Sequence, residues 1–312
     1  MTIAFVFPGQ GAQTIGMGKA LAEAYPAAKA VFDEVDDALG EKLSDLIWEG
    51  EIETLTLTQN AQPALMATSL AAMKALESEG VGIDTATFVA GHSLGEYSAL
   101  AAAGAFSVSD TARLLRTRGQ AMQSAVPVGE GAMAAILGLD LDGVRQVAEE
   151  AAQGEVCQAA NDNDPTQVVV SGSKAAVERA AEIAKANGAK RAIMLPVSAP
   201  FHCALMQPAA DAMAEALAGV SIAAPKVPVI ANVRAEAVSD PDLIRSLLVE
   251  QVTGSVRWRE SVQYMAAQGV TEAWEIGAGK ALSGMIRKID RAIGSKAVGT
   301  PDDVAKIVGE RG

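Results

Sequence analysis

The stretch VAGHSLGEYSALAAAG, residues 89–104, has the pattern of a short buried strand, a tight turn and a helix. The apolar run TATFVAG leads into the turn, and an alanine-rich segment that ends at Gly104 follows it. GHSLG fits the G-x-S-x-G pattern, in which two glycines allow a sharp turn that exposes the central serine above the end of a strand. Ser93 is therefore a candidate nucleophile. The alternative interpretation is that Ser93 is only the N-cap of the helix.

Other segments repeat this alternation of strand and helix. TIAFVFPG at residues 2–9 has the form of a buried strand, as do KVPVIAN at 226–232 and TEAWEIG at 271–277. The segment AQPALMATSLAAMKALESEG has a helical pattern and ends at Gly80, a residue type common just beyond helix C-termini. Strands that alternate with helices predict an α/β fold with a mainly parallel sheet covered on both faces.

The middle of the chain follows a different order, β-α-β-β-α-β, which is typical of a ferredoxin-like module. We predict that residues 128–197 form this small domain and that residues 1–127 and 198–312 form the large α/β domain around it. The proline-bounded segments 126–127 and 198–200 are the predicted junctions. A cleft between the two domains is the default binding site.

Composition limits the classes of partner and cofactor. The net charge of −13 opposes broad attraction to nucleic acid or to an anionic membrane. The N-terminal sequence lacks the pattern of a signal peptide, and no segment has the length and hydropathy of a membrane span, so a cytoplasmic protein is expected. The two cysteines and two histidines are widely separated, which argues against a disulfide framework or a metal cluster.

A serine nucleophile needs a base to accept its proton, and histidine is the usual one. His92 is adjacent to Ser93, so its side chain is expected to point away from the serine hydroxyl. His202, in LPVSAPFHCALM, follows the second predicted junction and can reach the turn from there. By elimination His202 is the candidate base, and the alternative is an ordinary loop histidine.

The oxyanion formed during acyl transfer requires hydrogen-bond donors that are already in place. The residue after the nucleophile, Leu94, offers its backbone N–H at a helix N-terminus. A second donor is expected from the glycine-rich loop PGQGAQ, and the N–H of Gln10 is the candidate. The competing interpretation of this loop as a dinucleotide-binding turn has poor spacing and lacks a suitably placed acidic residue.

The segment SVSDTARLLRTRGQAMQSAVP, residues 107–127, predicts a helix with an arginine on its apolar side. Helical periodicity places Arg118 among the apolar residues of one face, where an unpaired guanidinium is costly. A substrate anion that binds there is one interpretation, and an internal ion pair with an Asp or Glu is the alternative. Gly119, unfavourable within a helix, indicates a close backbone contact.

Taken together, these motifs resemble those of the malonyl-CoA:acyl carrier protein transacylases of fatty acid synthesis and their acyltransferase relatives in polyketide synthases. The resemblance extends over essentially the full chain, through FPGQGAQ, GHSLGEYSAL, RTRGQAM, NDNDPTQVVVSG, SAPFHCALM and EIGAGKALSGMI. It implies an α/β-hydrolase-like large subdomain with a ferredoxin-like insert.

The resemblance also implies roles for individual residues, carried over by their positions in these motifs. They are the nucleophile Ser93, the base His202, the oxyanion donors Gln10 and Leu94, the carboxylate-binding Arg118, the histidine-orienting carbonyl of Gln251, and Met122, Phe201 and Asn161 along the acyl and pantetheine pocket. Ser255 stands where relatives often have proline, close to Gln251 in sequence. Phe201 before His202 is the form associated with malonyl in preference to methylmalonyl units.

The expected activity is a ping-pong transfer of malonyl from malonyl-CoA to acyl carrier protein, without a metal or another cofactor. The alternatives are a trans-acting polyketide acyltransferase, a thioesterase or other serine hydrolase, and a carrier-binding module without catalysis. Since both the chain and carrier proteins are acidic, docking requires a local basic patch, to which Arg287 and Lys288 are candidate contributors. A monomer is the working expectation.

Overall fold

The computed structural model describes residues 2–197 and 199–310. Ser198, at the second predicted junction, lies outside the described residues, as do Met1 and the last two residues. The strands are β1 (Ile3–Phe7), β2 (Phe88–Gly91), β3 (Gly131–Leu137), β4 (Cys157–Asp164), β5 (Gln167–Ser173), β6 (Arg191–Met194), β7 (Val229–Ala231), β8 (Glu236–Val238), β9 (Glu272–Ile276) and β10 (Gly294–Val298).

The helices surround these strands in chain order. They are α1 (Lys19–Ala24), α2 (Pro26–Leu39), α3 (Leu43–Glu49), α4 (Ile52–Thr56), α5 (Thr58–Ser78), α6 (Leu94–Ala102), α7 (Val108–Ser124), α8 (Leu141–Ala152), α9 (Lys174–Ala186), α10 (Gln207–Ala218), α11 (Pro241–Thr253), α12 (Trp258–Ala267), α13 (Ala281–Ile289) and α14 (Pro301–Gly309). Short 3₁₀ turns occur at Ile83–Thr85 and Ala204–Met206. None of the helices in the described ranges is long and apolar enough to cross a membrane.

The large sheet has the strand order β10-β9-β1-β2-β7-β8. Its strands pair in parallel except for the antiparallel β7–β8 hairpin at one edge. Every residue of β1 and β2 is buried, as expected for strands covered on both faces. Phe7 pairs with Gly91, so the loop after β1 and the turn after β2 leave the sheet side by side. This edge therefore brings the Gln10 loop to the Ser93 turn.

The insert forms a second, antiparallel sheet with the order β4-β5-β3-β6. Helices α8 and α9 cover one face, where alanine and valine side chains form a separate small core. The other face presents Met133, Ala135 and Val169, which pack with Phe201 of the large part. The predicted fold class, a mainly parallel α/β sheet with a ferredoxin-like insert, is confirmed. The domain boundaries at residues 128 and 197 stay a prediction.

A backbone bridge and two ion pairs are among the contacts that attach the outer strand of the insert to the large part. The backbone of β4 forms a short parallel bridge with Val256, and the Asp162 N–H donates to the Val256 carbonyl at 2.9 Å. The buried carboxylate of Asp162 pairs with Arg259 at 2.9 Å, and that of Asp164 pairs with Lys288 at 3.1 Å. Lys288, a candidate for carrier docking, is therefore engaged within the molecule.

Candidate active site

The turn between β2 and α6 has an unusual backbone conformation at Ser93, with φ 55° and ψ −112°. A Cβ atom on Gly91 would lie 1.9 Å from the backbone of Gly95, and one on Gly95 would lie 2.2 Å from the Phe7 carbonyl oxygen. Both flanking glycines are therefore needed for this turn to pack against β1. The Ser93 side chain makes no capping hydrogen bond to α6, so Ser93 is not a conventional N-cap.

Replacement of Gly95 by alanine is expected to lower the free energy of unfolding by about 3 kcal/mol or more, because backbone atoms on both sides must move. Gly284 is a matched control, since a Cβ there meets nothing within 4 Å in α13. Gly284→Ala should raise stability by about 0.5–1 kcal/mol through helix propensity. Urea denaturation measures both values, and equal stabilities of the two variants would contradict the packing argument.

Ser93 and His202 are in direct hydrogen-bonding contact. The Ser93 Oγ lies 2.7 Å from His202 Nε2, and His202 Nδ1 lies 2.9 Å from the Gln251 carbonyl oxygen. Because a carbonyl only accepts, Nδ1 must hold the proton, which leaves Nε2 free to accept one from the serine. The His92 ring instead has its Nε2 2.8 Å from Asn163 Oδ1. The geometry thus favours His202 over His92 as the base.

His202 is 4% exposed, and this burial sets its protonation state. Burial, together with a smaller effect of the Arg118 charge, lowers the pKa of His202 to about 3. The imidazole is therefore neutral at physiological pH and has the lone pair that a base requires. An anion that neutralises the Arg118 charge would raise the pKa of His202 and strengthen it as a base.

Arg118 is fully buried beside the serine, at 1% exposure. Its Nη1 donates to Gln62 Oε1 at 2.7 Å. Its Nη2 donates to Ser93 Oγ at 3.1 Å and to Gln251 Oε1 at 2.9 Å. The guanidinium also lies 5.6 Å from the centre of the Tyr97 ring. These hydrogen-bond acceptors are all neutral, so the alternative of an internal ion pair is not what the structure shows.

Helix α7, which presents Arg118, packs unusually close to α5. A Cβ atom on Gly119 would lie 2.5 Å from Gln59 Cα and 2.7 Å from the Thr58 carbonyl oxygen. The close contact expected at Gly119 is confirmed. It allows the Arg118 side chain to extend from α7 beneath the turn and reach Ser93 Oγ.

A cavity of about 300 Å³ opens in front of Ser93, at the lower end of the range for small-molecule sites. The large part of the chain and the insert both line it. The predicted residues that border it are Gln10, Ser93, Leu94, Arg118, Met122, Asn161, Phe201 and His202. Gln251 does not border the cavity itself, but it contacts two residues that do, His202 and Arg118. The structure thus brings every predicted site residue to one cavity or its floor.

The proposed oxyanion donors occupy suitable elements of this cavity. Leu94 is the first residue of α6, so its N–H has no acceptor within the helix. The Gln10 side chain accepts a hydrogen bond from Thr58 Oγ1 at 2.8 Å, which fixes the loop after β1. Asn161 also lines the cavity, and its Oδ1 atom is buried and has no hydrogen-bond partner among the described residues. An incoming amide N–H would satisfy it.

Sequence reasoning missed three buried polar residues that support the site. Asn232 accepts from the Ser93 N–H at 2.8 Å and donates to the Gly91 carbonyl at 2.7 Å, which holds both sides of the turn. Gln62 binds Arg118, and Glu96 accepts from Gln251 at 2.7 Å. Each is a polar residue at an otherwise apolar position of a strand end or helix, and that was the available signal.

No group of three or more histidine, cysteine, aspartate or glutamate side chains that could hold a metal ion occurs within residues 2–197 and 199–310. The two cysteines are free and buried. The groups that border the cavity include the Ser93 hydroxyl, the His202 imidazole and the Arg118 guanidinium.

Comparison with known proteins places this geometry in a family. The family model described as the acyl transferase domain matches residues 4–297. The chain belongs to this acyl transferase family. Its relatives include the malonyl CoA-acyl carrier protein transacylase of Bacillus subtilis (strain 168), with 51% identity over 97% of this chain and 95% of the relative.

Solved structures agree with this assignment of the acyl transferase. The acyl-carrier-protein-S-malonyltransferase of Bartonella henselae matches with a TM-score of 0.97 and 57% identity, over 99% of this chain and 100% of that one. A malonyl-transacylase in complex with a type II PKS acyl-carrier protein matches with a TM-score of 0.96 and 42% identity, over 99% and 100% of the two chains. The recognition made from the sequence motifs is confirmed.

Proposed function

We propose that this acyl transferase moves the malonyl group of malonyl-CoA to the phosphopantetheine thiol of an acyl carrier protein, through a malonyl ester on Ser93. The names of its relatives support the reaction and both substrates. The observation that carries the proposal is the 3.1 Å contact between Arg118 Nη2 and Ser93 Oγ, in a guanidinium whose other partners are neutral. Such a site selects an acyl group with its own carboxylate.

The first half of the reaction forms the acyl-enzyme. Ser93 Oγ attacks the thioester carbonyl carbon while His202 Nε2 accepts the hydroxyl proton. The N–H groups of Gln10 and Leu94 stabilise the resulting oxyanion. When the C–S bond breaks, His202 returns the proton to the sulfur of CoA, which leaves as the thiol.

The second half reverses these steps with a different thiol. His202 accepts the proton of the phosphopantetheine thiol, whose sulfur attacks the malonyl ester of Ser93. When the C–O bond breaks, the proton returns to Ser93 Oγ and malonyl-carrier leaves. Atoms and protons balance in both halves of the reaction, which we propose to proceed without a metal or other cofactor.

The other residues of the cavity account for selectivity towards the acyl group and for binding of the pantetheine arm. Arg118 pairs with the free malonyl carboxylate in both acyl states, with Met122 and Phe201 beside it. Asn161 is proposed to bind an amide N–H of the pantetheine arm.

The exposed Arg287 on α13 remains a candidate contact for the carrier. We place the reaction in the cytoplasm and assign it to extender-unit supply for fatty acid synthesis.

Intact-protein mass spectrometry tests the proposal. Incubation with malonyl-CoA should add one malonyl group that maps to Ser93 and persists, and addition of holo acyl carrier protein should discharge it onto the carrier. A serine hydrolase would instead release free malonate without a lasting adduct. Running the discharge with a fatty-acid carrier and a polyketide carrier in parallel separates the two pathways.

A further inference from the structure

Glu96 is a buried carboxylate that the reaction described above does not use. It lies in the first turn of α6, three residues after Ser93, and is 2% exposed. Its Oε2 atom accepts hydrogen bonds from the Gln251 side-chain Nε2 at 2.7 Å and from the Asn232 backbone N–H at 3.1 Å. Both donors are neutral amides. A buried negative charge with only neutral partners is costly, so the nearby positive charge of Arg118 is significant.

The Gln251 side chain connects the two charges. A carboxylate only accepts hydrogen bonds, so Glu96 directs the Nε2 end of this amide towards itself. The Oε1 end then faces Arg118 Nη2, at 2.9 Å. The order of groups is carboxylate, amide, guanidinium. Glu96 therefore compensates the Arg118 charge without occupying the edge of the guanidinium that contacts Ser93.

We infer that Glu96 is a positioning residue whose negative charge, held one amide away from Arg118, limits how tightly the site binds the substrate carboxylate. The inference rests on the proposed function. A buried guanidinium without a countercharge would bind the carboxylate strongly in every acyl state, and such uniform binding lowers KM without speeding the reaction. The malonyl group must also leave the site once per cycle. A countercharge held one amide away from Arg118 weakens the binding of the carboxylate and therefore favours its release.

The charge of Glu96 changes near neutral pH. Burial raises the pKa of Glu96 to about 7, against the opposing effects of its two amide donors and the Arg118 charge. The ionisable groups around it are Arg118 on α7, Tyr97 beside it on α6, and His202, which is neutral in this range. As the pH falls through about 7, the carboxyl takes up a proton and the countercharge is progressively lost. As the pH rises through the same range, the charge is progressively restored.

The decisive variant is Glu96→Gln, because an amide oxygen in the place of Oε2 can accept both existing hydrogen bonds while the charge is removed. At pH 8 the malonyl-CoA concentration that half-saturates acylation of Ser93 should fall about tenfold, with no gain in the maximal rate. The value for acetyl-CoA should not change. A variant that packs poorly or folds incompletely would not bind malonyl-CoA more tightly. A decrease in the half-saturating malonyl-CoA concentration therefore identifies an electrostatic role for Glu96.

The matched control is Asp36→Asn. Asp36 is also a buried carboxylate, which accepts from the Ser44 N–H at 2.9 Å, and it lies on α2 away from the residues that border the cavity. This variant should leave the half-saturating concentrations of malonyl-CoA and acetyl-CoA unchanged. An unchanged or raised half-saturating concentration of malonyl-CoA in Glu96→Gln at pH 8 would overturn the inference.

The wild-type protein supplies a second measurement that needs no variant. The ratio of the half-saturating concentrations for malonyl-CoA and acetyl-CoA should fall as the pH is lowered from 8 to 6, since Glu96 loses its charge. Acetyl-CoA has the same phosphates, so the ratio cancels their titration. A ratio that stays constant counts against the inference even if Glu96→Gln fails to fold. Failure of the wild type to form malonyl-Ser93 would instead contradict the proposed function itself.

Discussion

Replacement of Ser93 by alanine is expected to lower malonyl transfer by about 10⁵-fold, the scale of loss when a catalytic nucleophile is removed. The hydroxyl lies 2.7 Å from His202 Nε2, and alanine leaves no atom to form the acyl bond. The φ of 55° at this position is about equally unfavourable for alanine and for serine, so the variant should still fold. Transfer from malonyl-CoA to carrier measures the rate, and mass spectrometry should find no malonyl adduct.

Ser98→Ala is the matched control for this variant. Ser98 lies on the same helix, α6, and is fully buried, and its hydroxyl has no hydrogen-bond partner among the described residues. Its replacement should leave transfer near the wild-type rate. The Ser93→Ala, His202→Ala double variant should be no slower than either single one, because the two residues act as a unit. Normal exchange by Ser93→Ala would show that Ser93 has no chemical role. A wild-type protein that binds the carrier without any malonyl exchange would favour a carrier-binding module without catalysis.

Replacement of Arg118 by alanine is expected to change the choice of substrate. For malonyl-CoA, kcat/KM should fall about 10³-fold, because the carboxylate then enters a buried site without its cation. For acetyl-CoA the loss should stay within about tenfold, since acetyl has no group that contacts the guanidinium. The kcat/KM of Arg118→Lys for malonyl-CoA should lie between those of the wild type and Arg118→Ala. The lysine ammonium keeps the positive charge but lacks the planar pair of donors of the guanidinium.

Arg116→Ala provides the control from the same helix. Arg116 lies about half a turn away from Arg118, and its guanidinium contacts Asn60 and Glu41 instead of the serine. Any decrease in kcat/KM of this variant should be equal for malonyl-CoA and acetyl-CoA. Competition assays with both thioesters measure the ratio directly. Equal losses in Arg118→Ala would remove the basis for a carboxylate-binding role.

Much of the fold could be predicted because its signals are local. The turn at Ser93 follows from two glycines between a strand and a helix, and the insert follows from the order of its six elements. Strands β8 and β10 could not be found in this way. β10 has the sequence GSKAV and is mostly only partly buried, so its composition does not distinguish an edge strand from a loop.

The site was predictable to a different extent for each residue. Arg118 stood out because a charged residue occupied the apolar face of a helix, and His202 because the alternative histidine adjoined the serine. Their roles, like those of Gln10, Leu94 and Gln251, stay predictions that the experiments above address. Glu96 acts through the orientation of the Gln251 side chain, 155 residues away in sequence, which only the folded chain determines.

The attachment of β4 to the large part has a consequence for evolution and engineering. The cavity wall that includes Asn161 is fixed by Asp162 and Asp164, whose partners Arg259 and Lys288 belong to the other half of the molecule. A chimera whose ferredoxin-like module comes from another enzyme and lacks either carboxylate would leave Arg259 or Lys288 without its ion-pair partner. Exchange of the whole module must therefore preserve both acidic positions, whereas point changes inside the cleft leave these ion pairs intact.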